Sequence, residues 1–508
     1  MALEAGDRKQ LFIDDRFVDS SQGLRRCVNP PSKAGVVLEP IPEEEGPRVS
    51  VASVLEVDGE YRMYYGLYVP VDWVRRDWPE IPHWARHMAC LAVSGDGIHW
   101  ERQRAGLFDI GRGKTNAIVM PTAMGTVFQD PRRTRGSRFW FMGHLSENPW
   151  WEESKGAVYR LELEGRKVAG ALHLCHSPDG IHWKRVKEPI VPFWCDTRNQ
   201  AFFDHRLNRY VAYVRGREKG LRVVCRGESP ELDSVPWPFE VKPGTGESHR
   251  GMYAGMNSAE WPVVLKPDEQ DPPQTDIYTP NVEVYSWAED VYLAWSPLYR
   301  HYDGFDSRGR DHRGQYPNDG PVETQLSVSR DGIRWHRFRR PYVGLGAVDE
   351  IDGGTIYMGL GMIRKGNEIW QYCSGGRSTH GNYEDHPDWP TAVIRLVQRL
   401  DGFVSLDAGP EGGELVTPPL VFSGSRLKLN IDCGAMGEAW VELLDEEGNA
   451  LPGYTLQDSV PIDRNGVAQE AWWRNGPDVR PLAGRPVRLR IKMRSAKLYA
   501  FQFGPTSS

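Results

Sequence analysis

The heptapeptide Ser-x-Asp-Gly-Ile-x-Trp occurs three times in this chain, as Ser94–Trp100, Ser177–Trp183 and Ser329–Trp335. A motif that returns at long, regular spacing means repeated structural units, and no other feature limits the fold as much. Each copy follows a short apolar run (CLAV, LHLCH, TQLSV). Asp-Gly suits a tight turn because Gly accepts positive φ, and Trp on the return strand has a broad face to pack. The motif therefore reads as a hairpin. Two degenerate copies, Ser229 to Trp237 and Leu400-Asp401-Gly402-Phe403, extend the series. From Asp96 to Asp179, Asp331 and Asp401 the intervals are 83, 152 and 70 residues, close to one, two and one steps of a common length. Five units result, between about residue 20 and residue 404.

A second hairpin precedes the motif in every unit: 53–66, 126–143, 200–214, 282–296 and 358–375. Each unit then holds four antiparallel strands, with no convincing amphipathic helix anywhere. The expected class is all-β: a five-bladed β-propeller over 1–404, whose radial closure removes exposed sheet edges. From 405 to 508 the heptapeptide is missing, and alternating strands between Gly/Pro turns predict a C-terminal β-sandwich. DAGPEGGE (407–414) is the expected joint.

Composition excludes several functions. The net charge is −7, so the basic excess of a nucleic-acid binder is missing. No apolar run reaches the ~18–20 residues of a membrane helix. The first residues, MALEAGDRKQ, carry no signal-peptide pattern, and a cytoplasmic location is expected. The seven cysteines show no zinc-type spacing and read as reduced thiols. Nineteen Trp outnumber sixteen Phe, and Trp is the side chain that stacks on sugars. Trp73, Trp78, Trp84, Trp150 and Trp151 fall in long loops and suit sugar platforms or core packing.

Five repeats with SxDGxxW hairpins and a terminal sandwich resemble the five-bladed propeller glycosidases, the invertase/levanase and arabinanase/xylosidase groups. The likeness is strongest to uncharacterised bacterial members that open with LFIDD (Leu11 to Asp15) and run into DGFVSLDAG (Asp401 to Gly409). The resemblance implies a glycoside hydrolase acting on a carbohydrate substrate. A glycoside phosphorylase on the same fold and a non-catalytic carbohydrate-binding propeller are the alternatives. The Asn-Asp-Pro-Asn and Glu-Cys motifs of invertases are absent, and only Gln129-Asp130-Pro131 echoes their Arg-Asp-Pro. No catalytic triad carries over residue by residue. No cofactor is required; a structural Ca2+ near His380 is implied by arabinanase-type relatives. Hydrolase or phosphorylase, sugar identity and oligomeric state stay open.

Meander geometry sorts the acids. The tight turns share one end of the units and the long segments (67–88, 144–170, 297–322, 374–391) share the other, where sites are built. Asp130, Asp204 and the motif aspartates belong to tight turns and read as turn formers. Acids entering inner strands from the loop end are the catalytic candidates: Asp276 and Glu323 first, then Asp352, Asp196 and Glu350. Glycoside hydrolysis needs one protonated and one ionised carboxyl, and crowding supplies both. Asn116, Asn199, Tyr278 and Asn281 suit sugar hydroxyls. Arg308 and Arg310, in the Arg/His-rich loop 301–315, would suit an anionic group, and His380 a metal or a proton.

Overall fold

The computed structural model describes residues 2–68, 87–107, 116–119, 122–133, 136–145, 160–163, 166–169, 172–191, 195, 198–218, 221–239, 256–257, 261–302, 319–382, 386 and 388–505. It is nearly all β, 53% strand and 3% helix. Among the described residues no helix is long and apolar enough to cross a membrane.

The heptapeptides fold as turn chemistry requires. In the first, Ser94 Oγ accepts the Gly97 N–H at 2.9 Å, while Asp96 Oδ1 accepts Ile98 N at 2.7 Å and His99 N at 2.8 Å. Asp179 and Asp331 repeat the pattern on Ile181, His182, Ile333 and Arg334. Gly97, Gly180 and Gly332 take φ of +80°, +80° and +71°, a region other residues enter at a cost. The return strands Glu101–Arg102, Lys184–Arg185 and His336–Val343 pair with His87–Ser94, Leu172–Ser177 and Val322–Ser329.

The five preceding hairpins also form. Val49–Val57 pairs with Glu60–Tyr68, Thr122–Gln129 with Phe139–Leu145, and Gln200–Asp204 with Arg209–Glu218. Val282–Val284 pairs with Tyr292–Ala294, and Ile363–Lys365 with Glu368–Gly376. The third unit departs from expectation. Its sheet is completed by Val263–Leu265, and Trp237 of the degenerate motif is buried in a core shared with unit two. Units four and five are joined in one eleven-stranded sheet through a Val322–Thr355 bridge. The outer strand of unit five is Ser32–Leu38, from the other end of the chain.

Each motif touches the unit before it. Tyr372 of unit five donates to Gly97 O of unit one at 2.7 Å, and Trp100 packs edge-on to the Tyr372 ring. Trp183 of unit two packs on Tyr64 of unit one. Arg132 and Arg133 of unit two pair with Glu231 and Asp233 of unit three. Tyr213 of unit three donates to Gly332 O of unit four at 2.8 Å. Tyr285 of unit four donates to Asp401 of unit five at 2.7 Å. Inner strands link in the same cyclic order: Val127 N to Ser53 Oγ, Thr126 Oγ1 to Asn199 O, Val282 N to Gln200 Oε1, Gly361 N to Glu283 Oε1, and Leu360 N to Ala52 O.

Residues from 404 onward contribute to a six-stranded sheet, a four-stranded sheet and two two-stranded pairs, with one apolar core that includes Leu415, Leu429, Val441, Ile491 and Phe501. Residues 3–28, counted above with the first 404, supply strands to these sheets, while Lys9, Leu11 and Arg16 also bond to unit four. Leu24–Val28 pairs with Val404–Ala408, Ser20–Gln22 with Gly413–Val416, and Leu3–Gly6 with Leu420–Phe422. The reason is burial: Phe12 and Phe17 face Phe501 and lose all solvent contact there.

Candidate functional site

At the loop end of units three to five, strand ends deliver charged and aromatic side chains to one cluster. Strand Thr275–Ile277 pairs with Pro297–Arg300, placing Asp276 directly opposite Tyr299. Directly opposed residues share a face, and alternation brings His301 to the same side as Tyr299. Asp276 is buried. Its Oδ1 accepts Arg222 N at 2.9 Å, and its Oδ2 accepts the Arg222 guanidinium and His301 Nε2, the latter at 2.8 Å. Burial alone would raise this carboxyl, but the Arg222 charge and the His301 contact hold it well below the usual carboxylate range. Asp276 is thus an ionised, fully engaged group that orients a guanidinium and an imidazole.

Aromatic rings build the walls. Tyr299 lies 4.0 Å from the His301 ring and 4.6 Å from His380, centroid to centroid. His380 also meets Tyr278 at 4.8 Å, and its Nδ1 is 3.0 Å from the Tyr357 hydroxyl. The guanidinium carbons of Arg222 and Arg215 sit 5.0 and 5.3 Å from the Tyr278 ring centre. Cations over ring faces gain from the quadrupole, more so when desolvated. Beside this cluster Asp319 accepts Gly320 N, Thr379 Oγ1 and Gly381 N, fixing the segment that carries His380.

The other candidates are distributed elsewhere. Glu323 stands opposite Leu298, in the row of Ile277, whereas Asp276 stands in the row of Tyr299 and Val322. The pleat therefore puts the two carboxyls on opposite faces of one sheet, and they do not form a pair. Burial raises the Glu323 carboxyl. Asp352 turns away from the cluster to an ion pair with Lys33 of the outermost strand. The glycines after it admit protein, not ligand: a Cβ on Gly354 would meet Ser378 backbone at 2.4 Å. Glu350 is exposed and accepts Ala347 N at 2.9 Å, closing a turn. Asn116 is tied to buried Glu45 at 3.0 Å, together with Arg102 and Tyr65.

Asn199 Oδ1 accepts Arg215 N at 2.8 Å, and Asn281 Nδ2 donates to Met358 O at 2.8 Å, so both amides brace strands at this end. Tyr278 and His380 belong to the cluster. Asp196, Arg308, Arg310 and the five loop tryptophans lie outside the described residues. Asp130 and Asp204 keep their turn roles and also receive Tyr210 and Tyr292 hydroxyls from the next unit.

The residues not anticipated are Arg198, Arg215, Arg222, Tyr299, Tyr357 and Asp319. One signal was available: Tyr-x-His at 299–301 alternates onto one face of a strand end. Among the described residues no group of three or more His, Cys, Asp or Glu is placed to hold a metal ion. Among the described residues the hydroxyls facing His380 are phenols, whereas Ca2+ takes carboxylate and carbonyl oxygens.

No family model matches the chain. An uncharacterised protein of Mycobacterium tuberculosis is 26% identical over 167 residues, 32% of this chain and 44% of that protein, so the chain spans less than half of that relative's length. A putative glycoside hydrolase structure from Bacteroides ovatus is similar over 73% of this chain and 97% of its own, at 12% identity and a TM-score of 0.40. A family 43 arabinoxylan arabinofuranohydrolase from Bacillus subtilis is similar over 93% of this chain and all of its own, at 10% identity and a TM-score of 0.36.

Proposed function

We propose that this chain is a carbohydrate-active enzyme, a glycoside hydrolase working at the loop end of a five-bladed β-propeller. The two closed series of contacts, one between motifs and one between inner strands, support the five-bladed reading. The C-terminal sheets, with residues 3–28, would form the accessory sandwich. The observation that carries the chemistry is the cluster of Asp276, Arg222, His301, Tyr278, Tyr299, Tyr357 and His380 around one strand-end surface. Tyrosine faces suit a sugar ring, as in many ligand sites with a few convergent polar groups.

In this reading Asp276 is the anionic centre. It fixes Arg222 and His301, and those two side chains present the hydrogen-bond donors that orient the sugar. His380, between two phenol hydroxyls, is the group placed to pass a proton to the leaving oxygen; water then adds to the anomeric carbon, and the proton it releases restores His380. This reading uses one carboxylate and two imidazoles where glycoside hydrolysis ordinarily uses a carboxylate pair.

The test is product detection by mass spectrometry over a panel of glycosides and oligosaccharides, with and without phosphate, run beside Asp276→Asn and His380→Gln. Turnover of at least one glycoside, lowered 10²-fold or more in both variants, is expected. Sugar phosphate as product would select phosphorolysis. Sugar binding without turnover would leave a carbohydrate-binding propeller.

A further inference from the structure

We propose that Arg198 is the floor of this site and pairs with a carboxylate carried by the sugar, so that the substrate is a uronate-containing glycoside. The inference rests on the carbohydrate reading above and names its substrate class. Arg198 stands at the entry to the inner strand of unit three. Its Nη1 donates to Met358 O of unit five at 2.9 Å, and its Nη2 donates to Ser50 Oγ of unit one. A side chain from unit three that reaches units five and one spans the space the inner strands enclose.

Arg198 is 7% exposed. Among the described residues it makes no ion pair, although a guanidinium keeps its charge at any physiological pH. Two described acids at this end are engaged elsewhere: Asp276 holds Arg222 and His301, and Asp319 holds Gly320, Thr379 and Gly381. Asp276 offsets the Arg222 charge, and Arg215, whose guanidinium lies over the Tyr278 ring, is a further cation at this end. A buried cation with no ion pair among the described residues suits a counter-charge carried by a ligand, and the guanidinium fork matches a planar carboxylate in two parallel hydrogen bonds.

The anion belongs on a sugar because sugar-binding groups adjoin the fork. Tyr278 and Tyr357 both lie within electrostatic range of Arg198. Asn281 shares the Met358 carbonyl with Arg198, and among the described residues its buried Oδ1 has no hydrogen-bond partner, an acceptor ready for a hydroxyl.

The experiment compares kcat/KM for matched uronate-bearing and neutral oligosaccharides, and thermal shifts with glucuronate, glucose, sulfate and inorganic phosphate at equal ionic strength. The wild type should prefer the acidic substrate by 10²-fold or more, and Arg198→Gln should shrink that ratio at least tenfold. Should the variant fail to fold, the wild-type ratio decides alone. Equal or better turnover of neutral sugars overturns this inference and leaves the enzyme reading standing. A shift with inorganic phosphate and none with glucuronate, with sugar phosphate formed, assigns Arg198 to free phosphate and also overturns it. No binding or turnover of any glycoside, acidic or neutral, overturns both readings.

Discussion

The two ends of the repeated units use aspartate in opposite ways. At the tight-turn end Asp96, Asp179 and Asp331 sit in partly exposed loops and accept N–H groups within three residues of themselves. Their carboxyls are held low mainly by these local bonds against what burial there is. At the loop end Asp276 is buried, and its partners come from other strands: Arg222 from unit three and His301 from beyond the next strand. Local aspartates make the repeat; the non-local one makes the site. Stability should therefore respond weakly to change at the first end and strongly at the second.

The largest effect is expected from Asp276→Ala. Removing one partner of a buried ion pair leaves Arg222 uncompensated, a loss of roughly 3–5 kcal/mol. Denaturant unfolding of the variant beside the wild type measures it. A loss under about 1 kcal/mol would mean that Asp276 is hydrated and no different from the turn aspartates.

A carboxyl in the inner ring gives the comparison a pH axis. Glu283 of unit four accepts Gly361 N of unit five, and burial, only partly countered by that N–H, pushes its pKa up to about 7 from 4.5. A folded-state value above the unfolded one means the native state holds the proton longer. Its contribution is complete below pH 4.5 and is lost as pH rises through about 7, amounting to about 3 kcal/mol. Glu283→Gln keeps an acceptor for Gly361 without the charge. Unfolding at pH 5 and pH 8.5 should show the variant close to wild type at the lower pH and more stable at the higher. A parallel pH dependence in both proteins would remove Glu283 as the cause.

These contrasts explain which features are legible in the sequence alone. The heptapeptides and the five hairpins were legible because their chemistry is local: Ser, Asp and Gly within four residues determine the turn. The turn roles of Asp130 and Asp204 followed from the same logic. Asp352 and Glu350 lie apart from the cluster because strand entry gives a position along the strand but not a facing direction. Lys33, which claims Asp352, arrives from the other end of the chain. Glu323 failed by a single step of the pleat, since a shift of one residue reverses the face. The pairing of residues 3–28 with the C-terminal sheets was hidden too, because long-range strand partners leave no periodic mark in either segment.

Between the extremes lie the joints that link neighbouring units. Tyr372 is buried, and its hydroxyl donates to Gly97 O in the first heptapeptide. Tyr372→Phe keeps the ring against Trp100 and strands one buried carbonyl, a cost of about 1–2 kcal/mol. The matching change at Tyr213, which donates to Gly332 O, should cost the same, since the contact repeats. Unequal costs in unfolding experiments would show that the joints are not equivalent.

The smallest effect is expected at the motif aspartates themselves. Asp331 accepts Ile333 N and Arg334 N, at 2.9 and 2.8 Å, and pairs with exposed Arg334. The ion pair is solvent-facing and adds little. The two N–H bonds resemble a helix cap, so Asp331→Ala should cost about 1 kcal/mol and Asp331→Asn less, because the amide oxygen still accepts. Asparagine that restores most of the alanine loss would assign the role to hydrogen bonding within the turn. Asparagine as damaging as alanine would assign it to charge, and the turn end would then depend on electrostatics as the loop end does.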